Sequence, residues 1–247
     1  MNDYSSIETL KSERALSAIA NASQFNPIIL DFDQTLLLRN STAEYLDSLR
    51  PRFLGFTLIT LLKVIQPWRW LPRPFGGKKT RDWYLVVTPT ILLPWTLSIW
   101  RRKAKQLAQK HGNLQIISAV NNNPDGNVIV ASLGFNFIIE PVLNYLPLKY
   151  NKLSGCRFWQ GAYDRNLDKL IMVQKVLSNS EIKSAILVTD SRDDLPLLEA
   201  VEQPCLCLWS SATYVKPFHD FWLYRLLQKL NTPNALNSKS KSQDRAI

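Results

Sequence analysis

Apolar residues in this chain recur with two periods. "IILDF" (28–32), "NVIVAS" (127–132), "SAILVTD" (184–190) and "PCLCLW" (204–209) are short continuous runs bounded by polar or turn residues. Such runs predict strands buried on both faces. Recurrence every three to four residues predicts helices between them. Ile7, Leu10, Ala15 and Ile19 form a stripe in an N-terminal helix within 1–25, opened by Ser5 and Glu8 as a capping box. "NSTAEYLDSL" predicts a second helix, opened by a Ser41–Glu44 box and limited by Pro51. "GFNFIIEPVLNYL" (134–146) reads as helical despite Pro141. "NLDKLIMVQKVLS" (166–178) does so through Leu167, Leu170, Ile171, Val176 and Leu177, and "LPLLEAVE" (195–202) follows. Short buried strands alternating with helices predict an α/β fold with a Rossmann-like, mostly parallel sheet. The polar end, 231–247, reads as disordered.

One segment departs from this alternation. "FLGFTLITLLKVI" (53–65) is apolar with one lysine, and "PWRWLPRPFGGKK" (67–79) is a turn region rich in Pro and Gly. "WYLVVTPTILLPWTLSIW" (83–100) is an uncharged run of eighteen, and "RRKAKQLAQKHG" (101–112) ends a helix at Gly112. These features divide the chain into a discontinuous core, 26–38 and 105–230, and a helical cap, 39–104. The net charge of +10 is concentrated there: between Arg50 and Lys110 stand thirteen Lys or Arg and one acid, Asp82. That stretch carries +12, so the remainder sums to −2.

Two readings of the segment follow. Its apolar residues can form the cap's own small core. Alternatively, Trp68, Trp70, Trp83, Trp95 and Trp100, with flanking Lys78, Lys79, Arg81, Arg101 and Arg102, suit a hairpin lying in an anionic leaflet. Eighteen residues broken by Pro89 and Pro94 suit a membrane span less well. Nucleic acid is not an expected partner, because the basic residues sit in apolar surroundings. Cys156, Cys205 and Cys207 are too few for a disulfide framework and read as reduced core residues. The opening residues lack a basic segment followed by an apolar one, so the expected location is cytoplasmic, peripheral to the membrane if the cap binds lipid.

The chemistry gathers where predicted strands end. Asp31 and Asp33 stand two positions apart at the close of the first strand, an unfavourable pairing, so either the strand ends there and the acids are solvated or a cation lies between them. Ser132 ends the second strand, and Asp190 and Asp194 follow "AILVT". Parallel sheets bind ligands at the carboxyl ends of their strands, so these residues would share one cleft. Four carboxylates there call for a hard cation with oxygen ligands, and Mg²⁺, which also accepts substrate phosphate, fits.

In these residues the chain resembles the haloacid dehalogenase superfamily, in its phosphoserine phosphatase-like branch. "DFDQTL" resembles the D-x-D-x-T motif, "VIVAS" the strand ending in Ser or Thr, and "TDSRDD" the G-D-x-x-x-D motif. Ser132 lies 101 residues after Asp31, which leaves room for a helical cap after the first motif. The resemblance spans roughly 26–210. It implies a phosphatase in which Asp31 is the nucleophile and Asp33 the general acid and base. Ser132 would hold a phosphoryl oxygen, and Asp31, the Asp33 carbonyl, Asp190 and Asp194 would hold Mg²⁺. The family's lysine near the start of the preceding helix matches Lys169 better than Lys175.

Gln34 and Thr189 stand where the family commonly has glycine. Thr189 removes a backbone freedom and would crowd the cleft. It supports the alternative reading, a protein that keeps the fold, has lost turnover, and binds a membrane or a partner. The charge and aromatics of the cap favour an anionic substrate with an apolar part, such as a lipid phosphate. Asp193, Ser191, Arg192, His111 and His219 receive no role.

Overall fold

Strand β1 (Ile28–Asp31) is buried at all four positions and forms the centre of a five-stranded, all-parallel sheet. The computed structural model describes residues 12–123 and 126–212. β2 (Val128–Phe135) and β3 (Lys152–Cys156) lie on one side of β1, and β4 (Ile186–Thr189) and β5 (Gln203–Leu206) on the other. The strand order 3-2-1-4-5 puts the topological switch beside β1. In sheets of this kind, ligands bind at that point. The register aligns the strand ends: Asp31 pairs with Ala131, Leu30 with both Val130 and Val188, and Thr189 with Leu206.

Helices flank the sheet. Ile29, Ile129 and Leu187 share one face and pack with Val173, Leu177, Ile182 and Leu197. The last four come from the region of α9 (Lys169–Gln174), α10 (Asn179–Lys183) and α11 (Leu195–Leu198). Helix α1 (Ser12–Ala20) buries Ala15 and Ile19 and packs on α6 (Leu114–Asn121). The Ser5–Glu8 box, residues 213–230 of the predicted core, His219 and the 231–247 tail fall outside the described residues. Cys156, Cys205 and Cys207 are buried free thiols.

Several boundaries differ from the sequence reading. The N-cap of α2 (Ser41–Asp47) is Asn40, whose side chain accepts from the Ala43 amide at 2.8 Å. Ser41 therefore lies inside the helix, and the Ser41–Glu44 box does not form. β2 does not stop at Ser132: "LGF" continues it to Phe135 through a register shift between Ala131 and Phe135. Helix α7 is accordingly confined to Asn136–Leu143. The helix read over 166–178 shortens to α9, where Met172 and Val173 are buried and Ile171 faces solvent. β3 had no apolar run to announce it: Lys152, Ser154 and Gly155 interrupt the pattern, and only pairing to β2 makes the segment a strand.

The segment between β1 and β2 adds α3 (Arg52–Ile65), α4 (Arg81–Leu92) and α5 (Thr96–His111). α3 packs on α4, while α2 and α5 pack on α7. The uncharged 83–100 run folds largely inward, burying Leu85, Val86, Val87, Leu93 and Trp100. Trp100 donates its Nε1–H to the Ile138 carbonyl at 3.0 Å and meets Tyr45 edge-on with centroids 5.5 Å apart. Tyr45 in turn shares a 2.7 Å hydroxyl contact with Thr90. These buried contacts tie the insert to α7. Arg165 adds a second tie, donating to the Lys79 and Leu133 carbonyls and to Asp82. Among the described residues, no single helix is long and apolar enough to cross a membrane; the stretch Lys78–Leu92 meets α5 at 117°.

Candidate active site

Asp31 is the last residue of β1, and the strand delivers its buried carboxylate to the carboxyl edge of the sheet. The Phe32 amide donates to Asp31 Oδ1 at 2.8 Å. Lys169, the first residue of α9, is also buried, and its ammonium bridges two acids. Nζ lies 2.8 Å from Asp31 Oδ1 and 2.6 Å from Asp194 Oδ2. Burial alone would lower the Lys169 pKa, but the charges of Asp31 and Asp194 outweigh it and raise the pKa above the ordinary lysine range. Burial raises the Asp194 pKa, the Lys169 charge opposes this, and Asp31 adds to it.

Thr189 closes β4 with ordinary strand backbone, so no glycine freedom is needed there. Its contribution is a fully buried hydroxyl, placed 2.6 Å from Asp194 Oδ2 and 3.2 Å from Asp31 Oδ2. One hydroxyl carries one proton, so the shorter contact to Asp194 is the donating one and Asp31 competes for it. The Ser191 amide donates back to Thr189 Oγ1 at 3.2 Å. Thr189→Val keeps the shape and leaves Asp194 short of a donor. It is expected to destabilise the fold by about 1–3 kcal/mol in thermal unfolding. An unchanged midpoint would show that the hydroxyl holds nothing.

Asp190 follows β4, and its Oδ1 accepts from the Thr35 hydroxyl at 3.2 Å. Asn113 supports that loop from the far end of the insert, donating to the Thr35 carbonyl at 2.9 Å. Burial first, then the Asp31 charge, pushes the Asp190 pKa up to about 7. Asp33 points toward α2 and accepts from the Ser41 amide at 2.6 Å. That bond lowers its pKa, but burial, aided by the Asp31 charge, wins and pushes it up to about 6. Between Asp33 and Thr35, Gln34 sits at φ +63°, the left-handed region that favours glycine. A glutamine held there costs about 1–2 kcal/mol.

The structure thus brings Asp31, Lys169 and Asp194 into direct contact, with Asp190 and Asp33 close enough to feel the Asp31 charge. Ser132 is one step beyond Ala131, which pairs with Asp31, and its Oγ accepts from the Gly134 amide at 3.0 Å. Lys175 lies apart: its side chain is 49% exposed and 3.8 Å from Asp164. Two supporting residues were not singled out from sequence. Thr35 was visible as the threonine of "DFDQT". Asn113 had no local signal, because its partner is 78 positions away.

Among the described residues, no group of three or more His, Cys, Asp or Glu side chains forms a ready metal cage. The donor chemistry nevertheless fits a hard divalent cation. All the acidic donors are oxygen, and one ammonium faces Asp31, Asp33, Asp190 and Asp194. Four carboxylates against that one ammonium leave net negative charge that a divalent cation would offset.

No protein-family model matches the chain, and no curated protein matches it in sequence. It is similar to a solved protein of unknown function from Bordetella pertussis Tohama I, with 16% identity and a TM-score of 0.53. That likeness covers 83% of this chain and 95% of the other. A looser likeness, TM-score 0.38 at 16% identity, relates 70% of this chain to 82% of a phosphoserine phosphohydrolase-like protein from Francisella tularensis subsp. tularensis SCHU S4. The first of these, together with the five parallel strands flanked by helices, establishes a Rossmann-like α/β fold.

Proposed function

We propose that the chain is a Mg²⁺-dependent phosphatase of the haloacid dehalogenase superfamily, acting through an aspartyl phosphate. The observation that carries this reading is the Lys169 ammonium joining Asp31 and Asp194 at the carboxyl ends of β1 and β4. Bound Mg²⁺, held by Asp31, Asp190, Asp194 and the Asp33 carbonyl, would neutralise phosphoryl oxygens. An Asp31 carboxylate oxygen forms a bond to phosphorus as the bond to the ester oxygen breaks. Asp33 gives its proton to that leaving oxygen. Asp33 then takes a proton from water as the water attacks phosphorus and frees Asp31. Lys169 and Ser132 donate to the phosphoryl oxygens. The basic, aromatic insert favours an anionic substrate with an apolar part.

The test is hydrolysis of an alkyl phosphomonoester with and without Mg²⁺ across pH. An alkoxide leaves poorly, so protonated Asp33 is required; in the metal-free chain burial keeps that proton up to about pH 6. Activity should be Mg²⁺-dependent, and Asp33→Asn should abolish it. The same shift affects folding. The folded state keeps a proton that the unfolded state releases between about pH 4 and pH 6, so metal-free stability should decline as pH rises through that window.

A second reading, a fold retained without turnover, has one observation in its favour: the Thr189 hydroxyl engages Asp194 and Asp31 together. It predicts no hydrolysis of any phosphomonoester at any Mg²⁺ concentration, and recovery in Thr189→Gly.

A further inference from the structure

The outward face of α3 is inverted for a helix at a protein surface. Gly55 and Ile59 point inward, and Gly55 packs so closely on Leu49 that a Cβ would fall 2.7 Å from the Leu49 Cβ. At about 100° per residue, the opposite stripe is Phe53, Leu54, Thr57, Thr60, Leu61 and Val64. Phe53 is 67% exposed and Val64 75%. A surface helix normally puts its charges on this stripe. Here it has none, and the helix's two cations, Arg52 and Lys63, fall on the flank.

Two tryptophans frame the helix. Trp70, 65% exposed, donates its Nε1–H to the Ile65 carbonyl at 3.2 Å, beside the C-terminus of α3. Trp95, 49% exposed, donates to the Arg50 carbonyl at 2.6 Å, beside its N-terminus. That bond also brings the α4–α5 corner, with exposed Ile91 and Leu92, to the start of the helix. The chain beside this apolar ground is rich in cations. Arg52 on the helix and Arg69 and Arg73 just after it are exposed, and the one acid between 50 and 110, Asp82, is committed to Arg165 at 2.6 Å.

A second copy is a poor occupant, because it would press two stretches of +12 together. An uncharged stripe with tryptophans at both ends inside a cationic surround matches the interface of an anionic bilayer. The helix is about 21 Å long, against a hydrocarbon core of about 30 Å, so it would lie in the leaflet plane. We infer that α3 docks the protein on an anionic phospholipid surface, with Phe53, Leu61 and Val64 inserted and Trp70 and Trp95 at headgroup depth. This centres the membrane contact on α3, with the exposed α4–α5 corner of the otherwise largely internal 83–100 run at its edge. The docking does not depend on the phosphatase reading.

The test is co-sedimentation of the full chain with vesicles of phosphatidylcholine alone or mixed with phosphatidylserine. Wild type should bind the mixed vesicles at low salt, bind phosphatidylcholine far less, and release partly at about 1 M salt, where screening shortens to about 3 Å. Phe53→Asp with Val64→Asp should weaken binding at least tenfold, on the order of what two buried apolar side chains supply. Both side chains are exposed, so the unfolding midpoint should not move. Arg69→Glu with Arg73→Glu should reduce only the phosphatidylserine-dependent part. The inference is overturned if wild type stays in the supernatant with mixed vesicles at low salt. It is equally overturned if the Phe53/Val64 variant binds as well as wild type. A dimer in sedimentation that Phe53→Asp dissociates would assign the face to a second copy instead.

Discussion

Asp31→Asn should remove Mg²⁺-dependent phosphatase activity by roughly 10⁴-fold or more, the scale seen when a nucleophile is deleted. Asparagine keeps the side-chain shape but cannot form the aspartyl phosphate. The fold should survive the change, because Lys169 retains Asp194 and the repulsion that Asp31 exerts on Asp33 and Asp190 disappears. Loss of turnover at an unchanged unfolding midpoint is therefore the expected pair of results. Undiminished hydrolysis would remove the covalent mechanism. A collapsed midpoint would mean that Asp31 is mainly a partner for Lys169.

Lys169→Ala should be the most destabilising single change at the site. Its ammonium is the cation shared by two buried carboxylates, and removing one member of a buried pair costs about 3–5 kcal/mol. For a chain of this size that corresponds to a fall in Tm of roughly 10 °C. Activity should also be lost, since one buried charge beside the transferring phosphoryl group contributes several kcal/mol. Lys175→Ala, at an exposed side chain, should stay within about 0.5 kcal/mol and keep activity. Added Mg²⁺ should restore part of the Lys169→Ala stability, because a cation again faces Asp31 and Asp194, without restoring turnover. Equal small losses in both variants would mean that neither lysine serves the nucleophile.

The two central strands were legible because burial on both faces leaves a continuous apolar run: "IIL" and "AILV" allow little else. The acids at their ends were legible for the same reason, since polar residues at the close of such runs must reach the sheet edge. Lys169 was preferred over Lys175 because the resemblance places the lysine near the start of the preceding helix, and Lys169 is the first residue of α9. β3 was not legible, since its residues become a strand only by pairing with β2. Asn40 was passed over for Ser41 because both residue types cap helices, and local sequence does not say which backbone turns first.

Local chemistry thus determined the α/β alternation, the acidic strand ends and the concentration of positive charge. Tertiary packing decided three matters that no local pattern encodes. Thr189, expected to restrict backbone, instead places a hydroxyl between Asp31 and Asp194, because the parallel register sets β4 beside β1. Asn113 reaches Thr35 only because the chain returns from α5 to the β1 loop. Of the two apolar stretches in the insert, 83–100 turns inward and 53–65 presents Phe53 and Val64 to the outside. Composition treats those stretches alike; which one is covered depends on the neighbours the fold supplies, and α7 packs on α5 while Phe53 and Val64 on α3 stay largely exposed.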